Sequence, residues 1–161
     1  MVLSSGMSRR HRANPLASLK AEQTFGSPVL FSGVATLMLS KAEIDVLSHH
    51  VKETTQNLLK LHPKIPEPFI FLVSGTLPAK AILHKRQLSL FSMICRLPKN
   101  IINQIAHQLL LSPDSEKTWF GQVEAICFQY GLPHPLQLLL NPALKEAFKN
   151  LVKNQVADYW L

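Results

Sequence analysis

Prolines cut this chain into pieces, and the long pieces between them repeat their apolar residues at intervals of three and four. A proline inside a helix removes a backbone hydrogen bond and clashes with the preceding turn, whereas at the first helical position its missing N–H costs nothing. The 11 prolines therefore mark helix starts and connections, and the pattern predicts several helices joined by proline-marked loops.

The first of these reads from "GSPVLFSGVATLML", with Ser27 as N-cap and Pro28 at the first helical position. "SKAEIDVLSHHVKETTQNLLKL" opens on Ser40 and Glu43, a capping box, and carries Ile44, Leu47, Val51, Leu58 and Leu61 as its stripe. "HPKIPEP" holds three prolines and reads as a loop. "FIFLVSG" fits a short buried strand or a short helix stopped by Gly75; no partner strand is apparent elsewhere, which favours helix. A long helix follows from Pro78 to Arg96, with Leu83, Leu90, Phe91 and Ile94 on its inner side. "KNIINQIAHQLLL" predicts another, with Ile101, Ile105 and Leu109 inward. Ser115 is a candidate cap for a helix burying Trp119, Val123, Ile126, Cys127 and Tyr130, with Gly131 as its C′ residue. "LPHPLQLLL" supplies one or two turns. The last helix is expected to start at Asn141 and Pro142 and to bury Leu144, Phe148, Leu151, Val152, Val156 and Tyr159. The expectation is an all-α bundle of six or seven helices.

Length and composition agree with that reading. A chain of 161 residues favours one domain, here 24–161, large enough to bury roughly two-thirds of its unfolded surface. Only 6 glycines and 7% aromatic residues argue against a turn-rich barrel or sandwich. The first 23 residues contain Arg9, Arg10, Arg12 and Lys20 and read as a disordered basic arm, with a mitochondrial presequence as the less favoured alternative. No apolar run approaches the ~20 residues that cross a membrane, so no membrane partner is expected; the chain is read as intracellular, in cytoplasm or nucleus. Cys95 and Cys127 sit within apolar helical patterns and read as buried thiols in a reducing compartment.

Candidate chemistry is sparse. The two cysteines form no C-x-x-C pair and have no ligand on the same turn, so no metal or other cofactor is expected. His49 and His50 are adjacent and point apart on a helix. There is no glycine-rich phosphate loop and no G-x-S-x-G. Asp45, Asp114 and Asp158 are scattered, whereas two-metal phosphoryl chemistry needs clustered carboxylates. The chain is not expected to be an enzyme.

Charge is what remains. The 17 Lys and Arg against 10 Asp and Glu give a formal charge of +7, which favours an anionic partner. From Phe69 to Ser112 there is no acid, while Lys80, Lys85, Arg86, Arg96 and Lys99 all lie in that run. Lys85, Ser89, Ser92 and Arg96 fall four, three and four residues apart, and predict an outward basic strip along the Pro78–Arg96 helix. Uninterrupted positive potential suits non-specific binding to a nucleic-acid backbone. An ordinary solvated helix face is the plainer reading of the same residues.

The segments "SGTLPAKAILHKRQLSLF" and "YGLPHPLQLL", with the order of the stretches around them, resemble the region after the polymerase core in LINE-type (non-LTR) retrotransposon reverse transcriptases. The resemblance runs over 14–161. It implies a thumb-like helical bundle and the segment that follows it, and it implies Lys80, Lys85, Arg86 and Arg96 as phosphate contacts. The sequence departs from the complete family protein: fingers, palm, paired metal-binding aspartates and endonuclease are missing. The resemblance thus implies a non-catalytic fragment. Rival readings are a helical module that meets another protein through an apolar face, and a retroelement relic without function.

Overall fold

The computed structural model describes residues 14–97 and 101–160, and over them the chain is all-α. The elements are α1 (Pro15–Ala21), a π turn (Glu22–Gly26), α2 (Ser27–Val34), α3 (Lys41–Leu59), α4 (Glu67–Ser74), α5 (Ala79–Arg96), α6 (Ile101–Leu111), a 3-10 turn (Ser115–Lys117), α7 (Trp119–Gln129), α8 (Pro135–Leu140) and α9 (Lys145–Trp160). Length leads to one domain over 24–161; Cα packing divides the chain into two compact units. The first runs through Val34 and resumes over Leu39–Ile82, and the second takes Ala35–Met38 and the chain from Leu83 on.

In the first unit, helix begins well before Ser27. Asn14 caps α1 by accepting the Leu16 N–H at 3.0 Å, and Pro15 occupies the first position. The helix then passes through the π turn, and Ser27 itself is helical at φ −58°, ψ −44°, so it caps nothing. The part of the expected arm from Asn14 onward is therefore ordered helix, and residues 1–13 lie outside the described region. The capping box of α3 is present: Glu43 N–H donates to Ser40 Oγ at 3.3 Å, and Ser40 N–H donates to the Glu43 carboxylate at 2.7 Å. The Ser40 hydroxyl also donates to that carboxylate at 2.7 Å, and it first and the Ser40 N–H second hold the Glu43 carboxyl below its ordinary pKa. "FIFLVSG" is helix α4, ended by Gly75 at φ 63°, a left-handed conformation that glycine adopts without strain. Leu19, Phe31, Leu58, Ile70 and Phe71 form the large apolar part of this unit's interior.

In the second unit, Leu83, Leu88 and Phe91 of α5 are fully buried. Phe91 meets Phe120 of α7 edge to face at 6.4 Å between ring centres. Helix α7 buries Val123, Ile126, Cys127 and Tyr130, as its spacing predicts, while Trp119 is only half-buried. Its cap is Thr118, whose hydroxyl accepts the Gly121 N–H at 3.1 Å; Ser115 instead opens the 3-10 turn. That turn's backbone comes so close that a Cβ at Gly121 would collide with the Ser115 carbonyl. The helix ends in a Schellman motif: Leu132 N–H reaches the Cys127 carbonyl at 2.9 Å, Gly131 N–H reaches that of Phe128 at 3.2 Å, and Gly131 sits at φ 62°.

Two further expectations in this unit need correction. Helix α6 buries Ala106 and Leu110, while Ile101 and Ile105 are exposed and Leu109 is half-buried. Its apolar residues occupy so many positions that period alone does not choose a face, and packing on α7 and α8 does. Helix α9 starts at Lys145, because Asn141 ends α8 with its N–H on the Gln137 carbonyl at 2.8 Å. Phe148, Val152 and Val156 are buried, whereas Leu144, Leu151 and Tyr159 are exposed.

Candidate nucleic-acid interface

Helix α5 turns about 100° per residue, and its burial pattern fixes where charge can reach solvent. Ala81, Leu83, His84, Gln87, Leu88, Phe91, Ser92 and Cys95 are buried. What remains outward is a narrow stripe of Arg86, Ser89, Met93 and Leu97. The predicted strip of Lys85, Ser89, Ser92 and Arg96 therefore lies at the margin of the buried face. Ser92 is inside, Lys85 and Arg96 are half-buried, and Arg96 donates to the Ser92 hydroxyl at 2.5 Å.

The expected phosphate contacts are divided between the two units. Lys80 is half-buried and belongs to the first, while Lys85, Arg86 and Arg96 belong to the second. Arg86 is exposed, and Lys99 lies outside the described residues. Lys85 has a neighbour that sequence spacing does not reveal. Burial lowers the Lys85 ammonium's pKa first, and the charges of Lys153 of α9 and then Arg86 lower it further, so both lie within electrostatic reach of it. Among the described residues, none of Lys85, Arg86 and Lys153 stands in an ion pair; the ion pairs are Lys117–Asp114, His134–Glu124 and Lys149–Glu146. Three cations drawn from two helices, one of them partly desolvated, make a local field that counter-anions lower in energy.

A buried polar junction holds the two helices in register. His84 Nδ1 lies 2.9 Å from the Tyr130 hydroxyl, which also accepts the Trp160 indole N–H at 2.9 Å. The ring of Tyr130 packs edge-on against His84 at 5.6 Å and against Tyr159 at 5.2 Å. Burial raises the Tyr130 phenol above its ordinary pKa, and the Trp160 N–H draws it part of the way back. Thus α5, α7 and α9 meet at one hydroxyl, one residue away from Lys85. The only hint of Lys153 in the sequence is that Lys145, Lys149 and Lys153 recur every four residues.

Other chemistry-bearing residues do not assemble. Cys95 and Cys127 are buried free thiols, each pushed up to about 12, chiefly by burial. Both stay protonated near neutrality and are poor nucleophiles or ligands in that form. Among the described residues no group of three or more His, Cys, Asp or Glu is placed to hold a metal ion. Also among them, no helix is long and apolar enough to cross a membrane. No known protein family, curated protein or solved structure matches the chain.

Proposed function

We propose that the chain binds the phosphate backbone of nucleic acid without reading sequence, as a non-catalytic segment akin to the thumb region of LINE-type reverse transcriptases. The observation that carries this reading is that, among the described residues, no carboxylate is paired to exposed Arg86, exposed Lys153 or half-buried Lys85, whose charges act on one another. Excess positive charge over the whole chain acts in the same direction. The reading rests on backbone contacts because isolated lysines act as point charges and supply no bidentate recognition of a base edge.

The test is a titration of duplex DNA and of an RNA–DNA hybrid at several salt concentrations. Each phosphate contact contributes about 0.9 to the slope of log affinity against log salt on B-DNA. The double change Lys85→Gln, Arg86→Gln is expected to flatten that slope by about 2 and to weaken all sequences alike. A slope equal to the parent's would remove these residues from the interface. The chain by itself is expected not to extend a primer on any template.

A second reading, a helical protein-interaction module, rests on α6. That helix carries no charged residue and exposes Ile101, Ile102, Ile105 and Leu111. Exposed apolar side chains grouped on one element mark a contact surface more often than scattered ones do. Concentration-dependent sedimentation, abolished by Ile101→Ser with Ile105→Ser, distinguishes it.

A further inference from the structure

Beyond Arg86 the outward side of α5 continues as Ser89, Met93 and Leu97, and Arg96 is engaged with Ser92. A phosphate run that meets Lys85 and Arg86 finds no further exposed cation along that helix, Arg96 being half-buried. On α9 it does. Lys145, Lys149 and Lys153 are all exposed, and each step of four residues advances about 6 Å with a drift of about 40°. The three lysines therefore rise about 12 Å along the helix axis while fanning through about 80°, in axial steps close to the interval of successive phosphates on one strand.

The row runs along the rim of the buried side of α9: Phe148, Val152 and Val156, each three residues on from a lysine of the row, are in the core, while the lysines themselves stay exposed. Only Lys149 has an acidic partner, Glu146 at 3.7 Å, and both side chains are about 70% exposed, so solvent screens the pair and an anion can displace it. Asn150 and Asn154, exposed beside the row, offer neutral donors at the same interval.

We infer that a run of consecutive phosphates on one nucleic-acid strand lies along Lys145, Lys149 and Lys153 of α9 and ends at Lys85 and Arg86 of α5. The inference rests on the nucleic-acid reading above and adds the path and the minimum ligand. A strand of several phosphates is required; a mononucleotide or inorganic phosphate spans one step of the row and gains little.

The experiment uses the full chain and oligothymidylates of about 4 and about 16 nucleotides, the range of site sizes on single-strand grooves, with a duplex of the longer length as a second arm. The row variant is Lys145→Gln, Lys149→Gln, Lys153→Gln. The control is Lys41→Gln, Lys60→Gln, Lys64→Gln, which removes the same charge from exposed positions elsewhere. For the row variant the salt slope is expected to fall by about 2 on single strand and about 3 on duplex, with little change in the control. Affinity for the longer oligothymidylate over the shorter is expected to collapse in the row variant alone. The arm with the larger loss identifies single strand or duplex as the better ligand. Equal loss in row and control variants overturns the inference in favour of diffuse charge. A slope reduced by Lys85→Gln with Arg86→Gln but unchanged by the row variant overturns the path and leaves the proposed function standing. Absence of salt-dependent binding in the parent, or binding only to phosphatidylserine vesicles, overturns both. Circular dichroism of each variant confirms that helix content is retained, as exposed positions require.

Discussion

The two compact units are stabilised over different lengths of chain. In the first, the described side-chain hydrogen bonds close short loops: the Ser40–Glu43 box, Thr55 to the Val51 carbonyl, and at the longest Gln56 to the Pro63 carbonyl. In the second, side chains tie distant segments. Trp119 donates to the Ala35 carbonyl at 2.9 Å across 84 residues, and Tyr130 joins His84 and Trp160. The large apolar side chains differ as well. The first unit buries only a few, while the second encloses most of α5 and the inner sides of α7 and α9; both leave some in water, Phe25 and Val29 in the first and Phe128 and Leu144 in the second. A unit built from local bonds depends on caps and turns, whereas one built from long-range contacts depends on its core residues, because only those close the large loops between helices.

The sharpest way to break this comparison is Phe91→Ala. Phe91 is fully buried, and its removal is expected to cost about 3–5 kcal/mol, read as a lower denaturation midpoint. Ile94→Ala, half-buried on the same helix, is expected at or below the low end of the ~2–5 kcal/mol range for such truncations. Equal costs for the two would show that burial is not what separates them.

Tyr130→Phe comes next. It deletes the hydroxyl shared by His84 and Trp160 while keeping the ring, and is expected to cost about 1–2 kcal/mol. Trp160 fluorescence is expected to shift toward that of a water-exposed indole. If neither stability nor emission changes, the junction does not hold α9 in place.

The smallest effect belongs to the first unit. Ser40→Ala removes one half of the capping box and is expected to cost about 1 kcal/mol. The same change should raise the Glu43 carboxyl toward its ordinary value, because the leading cause of its depression is the Ser40 hydroxyl. A depressed carboxylate contributes stability above its unfolded pKa and loses that contribution as pH falls through the folded value. The parent should therefore lose this increment on acidification, and Ser40→Ala should lose less. An NMR titration of the Glu43 side chain measures the shift directly.

Local chemistry made several features legible. Ser40 with Glu43, Gly75 and Gly131 each act where the sequence places them, because a cap or a left-handed turn is decided within a few residues. Asn14–Pro15 carried the same kind of signal, and it marks the true start of α1. Ser27–Pro28 looks like a start too, but a helix already under way simply includes both residues. At Asn141–Pro142 the neighbouring helix α8 uses the asparagine as its own end.

Which side of each helix is buried was less accessible. The sequence by itself determined that the chain is helical, where most helices stop, and that an acid-free, basic stretch occupies α5, since these follow from period, proline and residue charge. Tertiary packing decided the rest. It exposed Ile101 and Ile105 on an apolar-rich helix, withdrew Ser92 and half of Lys85 from water, and brought the charge of Lys153 to bear on Lys85, 68 positions earlier in the sequence (153 − 85). The physical reason is that period constrains neighbours three or four residues apart, whereas a field formed by two helices depends on the core that brings their surfaces together.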